Sequence, residues 1–217
     1  MNDAEWLAEY ALYTVLKARH DGAAWMDWNA AYATRDPLAI EEAQDALSHD
    51  IAKVKVQQFL FFRQWTRLKE DANGRGIRIM GDIPIFVAGD SADVWSRRDL
   101  FELDENGRPL VVAGVPPDYF SATGQRWGNP LYRWQAHRDE GFAWWCRRIQ
   151  RTLETVDLVR IDHFRGFESY WEIPATEETA INGRWAPAPG YELFQALLDR
   201  CGPLPIVAED LGIITPA

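Results

Sequence analysis

Residues 158–166 read LVRIDHFRG. The stretch is a short apolar run that carries Arg160 and Asp162 two positions apart and ends at Gly166. In a strand, residues two apart share a face. Arg160 and Asp162 therefore project to one side, and Val159 and Ile161 to the other. A polar pair on an apolar strand costs burial energy unless it is satisfied. A guanidinium beside Asp162 favours its ionised form, because a nearby opposite charge lowers a carboxylate's pKa. An ionised carboxylate positioned at the C-terminal end of a strand is what a glycosidase nucleophile requires.

Two more short apolar runs flank this one. Residues 76–88, GIRIMGDIPIFVA, are β-branched and too short for a helix. They read as a buried strand with Asp82 near its C-terminal end, and Pro84 demotes the second half to a terminus or bend. Residues 204–211, LPIVAEDL, read as a third strand with Glu209 at its end. Helical patterns occupy 140–153 and 191–200, the latter stopped by Cys201 and Gly202. The resulting βαβαβ order predicts an α/β fold with a parallel sheet. Acidic residues end all three strands, as at the active-site face of a (β/α) barrel. A doubly wound sheet also gathers its strand ends, but no glycine-rich phosphate loop follows any strand here.

Residues 1–74 read as a helical segment and 75–217 as a partial barrel. Trp6, Leu7, Tyr10, Tyr13 and Leu16 recur at helical spacing. Asp36 and Pro37 open a second helix that runs toward Ala72, with a break near 48–50. Residues 89–135 lack sustained periodicity but carry Tyr119, Phe120, Trp127 and Tyr132. They read as a long aromatic loop at the active site. Residues 168–190, with Trp171 and Trp185, read as another loop.

The net charge of −10 over 217 residues argues against nucleic acid and anionic membranes as partners. Hydrophobic residues make up 47%, enough for a real core. No apolar run approaches the roughly 18 residues of a membrane span, and no secretory leader is expected at Met1. Cys146 and Cys201 lack a CxxC spacing, so a reducing cytoplasm is the expected location. The four histidines form no HxH or HExxH pattern, so no metal is expected. The 11 tryptophans suit both a core of large rings and surfaces that stack on sugars.

Neighbouring parallel strands lie roughly 5 Å apart. Asp162 and Glu209 can therefore reach the roughly 5–5.5 Å separation of a retaining glycosidase pair. Such a pair needs different pKa values. Arg160 would lower that of Asp162, and the apolar run Ile206-Val207-Ala208 would raise that of Glu209 if it is buried. Spacing alone describes two ion-paired carboxylates at a sheet edge at least as well. His163 would face away from Asp162 unless the strand end bends.

Four motifs carry a resemblance: GDIPIFVA (81–88), GQRWGNPLY (124–132), RIDHFRG (160–166) and AEDLG (208–212). In this order they closely resemble motifs of the bacterial 4-α-glucanotransferases, the amylomaltases or disproportionating enzymes of the α-amylase superfamily. The resemblance implies a (β/α)8 TIM barrel, of which about three strands are readable here. It also implies a double displacement that passes an α-1,4-glucan segment through a glucosyl-enzyme to the 4-OH of an acceptor. By motif, Asp162 resembles the nucleophile and Glu209 the acid/base. Arg160 resembles the arginine beside the nucleophile, and His163 a substrate contact. Asp82 and Trp127 match sugar-binding positions. Asp118, Tyr119, Phe120 and Gln125 match a loop that overhangs the site and could exclude water. No metal or organic cofactor is implied, and the expected partner is a maltodextrin. A third catalytic aspartate is expected on a later strand, outside this chain. A barrel of this type takes about 250 residues, so the expectation is a piece of a longer enzyme, inactive alone. An α-glucan hydrolase, a non-catalytic glucan-binding module and a structural fragment with exposed sheet edges are the rival expectations.

Overall fold

The computed structural model describes residues 4–209. Helix α1 (Ala4–Arg19) ends at His20 and Asp21, where Gly22 takes a φ of 77°. A 3-10 turn at Trp25–Asp27 leads to α2 (Ala30–Ala33), α3 (Pro37–Ala46) and α4 (Ser48–Gly74). The Asp36 carboxylate caps α3 by accepting the Leu38 and Ala39 N–H groups at 3.1 Å each. The second helix of the sequence reading is thus two helices, parted where Leu47 leaves helical geometry at φ −106°, ψ 11°.

The remainder runs β1 (Met80–Pro84), α5 (Ala92–Ser96), β2 (Val111–Val115), β3 (Gln125–Pro130), α6 (Trp134–Asp139) and α7 (Ala143–Thr155). Then come β4 (Leu158–Asp162), β5 (Ser169–Pro174), β6 (Arg184–Pro187), α8 (Gly190–Cys201) and β7 (Ile206–Ala208). The three strands expected to be parallel form one sheet in the order β1-β4-β7. Asp210, Leu211 and Gly212, expected to close the third strand and its motif, lie outside the described residues.

The two expected loops are corrected by the second sheet. Strands β2 and β3 come from 89–135, and β5 and β6 from 168–190. They pair antiparallel in the order β3-β2-β5-β6. The sheet turns one face to the main core through Ala113, Tyr170 and Ala186, and the other to a small cluster of Val112, Ile173 and Ala180.

Strand β4 lies at the centre of the parallel sheet, and Val159 and Ile161 are 0% and 1% exposed. The main core extends from Leu12 on α1 to Leu197 on α8, with Trp25, Trp95 and Trp145 fully enclosed. Helix α4 is fastened to the entry of β4. The Trp65 indole donates to the Thr155 carbonyl at 2.6 Å, and Lys69 donates to that of Val156 at 2.8 Å. The Asp157 carboxylate accepts the Ile79 N–H and the Asn73 amide, both at 2.8 Å, and these bonds hold it below the usual carboxylate pKa. Asp157 thereby ties the start of β1 to the start of β4. Among the described residues no helix is long and apolar enough to cross a membrane.

Candidate active site

Strand register gathers the charged groups. Asp82 on β1 lies directly beside Arg160 on β4, and Pro84 beside Asp162. On the other side Arg160 pairs with Val207, and the Glu209 N–H donates to the Ile161 carbonyl at 3.3 Å. Asp82, Arg160, Asp162 and Glu209 therefore converge at the C-terminal edge of three adjacent strands.

Arg160 is the hub. One terminal nitrogen donates to Asp82 at 2.5 Å. The other donates to both Asp162 at 2.8 Å and Glu209 at 2.6 Å. Burial opposes the charge of Arg160, but Asp82, Glu209 and Asp162 outweigh it and push the guanidinium pKa upward. The two oxygens on the shared nitrogen can be no farther apart than the sum of their distances to it. That limit falls within the roughly 5–5.5 Å of a retaining pair.

The two carboxylates differ in access. Asp162 keeps 46% of its side chain exposed and Glu209 only 14%. Both Glu209 oxygens accept N–H bonds, one from Arg160 and the other from the His163 backbone at 2.6 Å. The apolar surroundings expected for Glu209 are absent: Ala208 is exposed and Val207 is 41% exposed. Strand β7 is an edge strand among the described residues, and of its three residues Ile206 packs on the main core while Val207 and Ala208 stay exposed. The side chain is shielded instead by Arg160 and the His163 turn.

His163 reaches the site because the chain bends at the strand end. It takes the left-handed conformation at φ 55°, ψ 44°, which turns it off the β4 alternation into the 3-10 turn Phe164–Phe167. Its ring meets Trp127 edge-on at 4.9 Å. Gly166 permits this seat, since a Cβ there would fall 3.0 Å from the His163 ring and 2.8 Å from Ile85. Burial holds the His163 imidazole below its ordinary pKa, against the pull of Glu209 and Asp162, so it is neutral at pH 7. Its buried Nε2 has no hydrogen-bond partner among the described residues.

Strand β3 supplies Trp127, whose indole donates to Gln125 at 3.0 Å. The structure thus brings Asp82, Arg160, Asp162, His163, Glu209, Trp127 and Gln125 together. It does not pack the remaining three against them. Asp118 caps its own turn by accepting the Phe120 and Ser121 N–H groups at 2.8 Å each. Tyr119 and Phe120 stand 97% and 93% exposed.

Sequence reasoning passed over Arg148 on α7. It lies 4.9 Å above the Trp145 ring and donates to the Pro84 and Ile85 carbonyls at 2.6 and 3.1 Å. The Ile85 N–H in turn donates to the Asp162 carbonyl at 3.3 Å. Arg148 thus braces the backbone beside Asp162. An arginine on an amphipathic helix carries no signal of that role.

A family model described as 4-alpha-glucanotransferase matches residues 1–217. The chain is 56% identical to a 4-alpha-glucanotransferase of Thermus thermophilus over 99% of this chain and 43% of that protein. It is 46% identical to a chloroplastic/amyloplastic 4-alpha-glucanotransferase of Solanum tuberosum over 99% of this chain and 37% of that one. The solved amylomaltase of Streptococcus agalactiae in complex with acarbose superimposes with a TM-score of 0.94 at 44% identity. It covers 98% of this chain, which spans 43% of that one. An amylomaltase from Corynebacterium glutamicum, at 19% identity and TM-score 0.74, shares the fold. The chain therefore spans under half the length of these relatives.

Proposed function

The chain belongs to the 4-alpha-glucanotransferase family, and from that premise we propose that it carries the nucleophile and the acid/base of a retaining transfer between α-1,4-glucans. Asp162 attacks the anomeric carbon of the donor, and the C1–O bond breaks with inversion. Glu209 gives its proton to the departing 4-oxygen. The acceptor's 4-OH then returns a proton to Glu209 as its oxygen displaces Asp162, with a second inversion and net retention. The observation that carries this reading is the single Arg160 nitrogen shared by Asp162 and Glu209.

Access supports the division of roles. The more exposed Asp162 is open to a sugar, whereas Glu209 is shielded and oriented by N–H bonds to both of its oxygens. Neutral His163 and the Trp127 face offer a donor or acceptor and an apolar platform beside them. The exposed Tyr119 and Phe120 are assigned to substrate on the far side of the loop capped by Asp118, where they limit water. Maltodextrin as the substrate and a cytoplasmic setting belong to the same proposal.

Maltotriose tests it, in a protein that carries this chain. Transfer yields glucose and longer maltodextrins at constant total reducing ends; a rise in reducing ends means hydrolysis instead. Asp162→Asn and Glu209→Gln should each lower transfer at least about a hundredfold, the usual scale for an acid–base group. Unchanged transfer in either variant contradicts the assignment.

A further inference from the structure

Trp185 stays open to solvent although two side chains contact it. It stands on β6 directly opposite Trp171 of β5. Cross-strand partners share a face, so the two indoles meet, edge to face, at 5.4 Å. Trp171 packs against the small cluster of Val112, Ile173 and Ala180 and donates to the Ala180 carbonyl at 2.8 Å. Trp185 joins neither core cluster among the described residues and keeps 42% exposure.

Arg165 lies against this exposed ring, its guanidinium carbon 3.8 Å from the centroid. It belongs to the turn that directly follows Asp162 and His163, and its charge helps hold the His163 pKa down. The platform is therefore continuous with the carboxylate site. Trp127 touches one end of the turn, at His163, and Trp185 lies on Arg165 farther along it.

We propose that Trp185, with Arg165 laid on it, is an outer subsite for the α-glucan, taking a glucosyl unit beyond those seated at the carboxylates. This rests on the glucan reading above. A half-exposed indole presents an apolar face that suits the C–H face of a pyranose. The charge that touches the ring is the Arg165 guanidinium, whereas Glu172 and Arg184, paired at 2.6 Å, lie one position along on the opposite face of the sheet. A guanidinium edge beside an apolar ring matches the hydroxyl rim and C–H face of a neutral sugar.

The test compares maltotriose with maltoheptaose, by titration calorimetry, on a protein that carries this chain and on its Trp185→Ala and Trp185→Phe variants. Trp185→Ala should weaken maltoheptaose on the order of tenfold, the loss expected of one well-packed aromatic contact. Maltotriose binding should not change, and Trp185→Phe should recover part of the loss. Equal affinities in Trp185→Ala, or equal losses for both lengths, overturn the subsite and leave the glucan reading standing. If neither sugar binds the unaltered protein, the glucan reading falls and the subsite with it.

Discussion

Arg160 holds together three carboxylates that would otherwise repel one another. Asp82, Asp162 and Glu209 all contact its guanidinium, two of them through one nitrogen. Replacing it by methionine keeps the stem and removes the charge. Arg160→Met should therefore be less stable than the parent at pH 7, and the difference should shrink as added salt screens both the lost attraction and the remaining repulsion. Urea midpoints at low and high salt read this out; a difference independent of salt would contradict it. The Arg160–Asp162 pair was legible in the sequence because a strand's period of two is rigid. The place of His163 was not. Its left-handed backbone is set by the turn and the room at Gly166, neither of which follows from strand alternation.

At the scale of elements, the small antiparallel sheet carries the aromatic side of the site. Gly114 on β2 lies where a Cβ would fall against the Gln125 carbonyl oxygen and the Ile173 side chain. Gly114→Ala should cost about 1–3 kcal/mol through overpacking. It should also shift β3, and with it Gln125 and Trp127. Thermal melts and tryptophan fluorescence check both effects; an unchanged melting temperature with unchanged emission would contradict them. The parallel strands were legible because each is a compact apolar run ending in a carboxylate. The small sheet was not, because β3 (QRWGNP) and β6 (RWAP) are polar or proline-limited. Their stability comes from partners distant in sequence, such as Val112 opposite both Pro130 and Ile173. Helices α3 and α4 show the opposite case. Capping at Asp36 and local periodicity announced them, and the break expected near 48–50 falls at Leu47.

Over the whole molecule, one core joins the helical segment to the parallel sheet, and His137 is a buried polar residue among the described residues. The ring is enclosed by Tyr132, Trp134 and Trp144. Burial pushes its pKa down to about 4. The unfolded chain takes up that proton near its ordinary value of about 6.5, whereas the folded chain refuses it until about pH 4. Stability from this residue is therefore complete above about pH 6.5 and declines as pH falls toward 4, by roughly 3 kcal/mol in all. His137→Phe should flatten that decline, and an unaltered acid profile would contradict it. The account's central claim is the division of labour between Asp162 and Glu209, and a trapped intermediate tests it most directly. A maltosyl fluoride needs no acid to depart, so in a Glu209→Gln protein it should glycosylate the nucleophile and then stall without a base. Mass spectrometry of the digested protein should find the sugar ester on Asp162 and none in Asp162→Asn. An ester on another residue, or unimpaired turnover by the Glu209→Gln protein, would contradict the account.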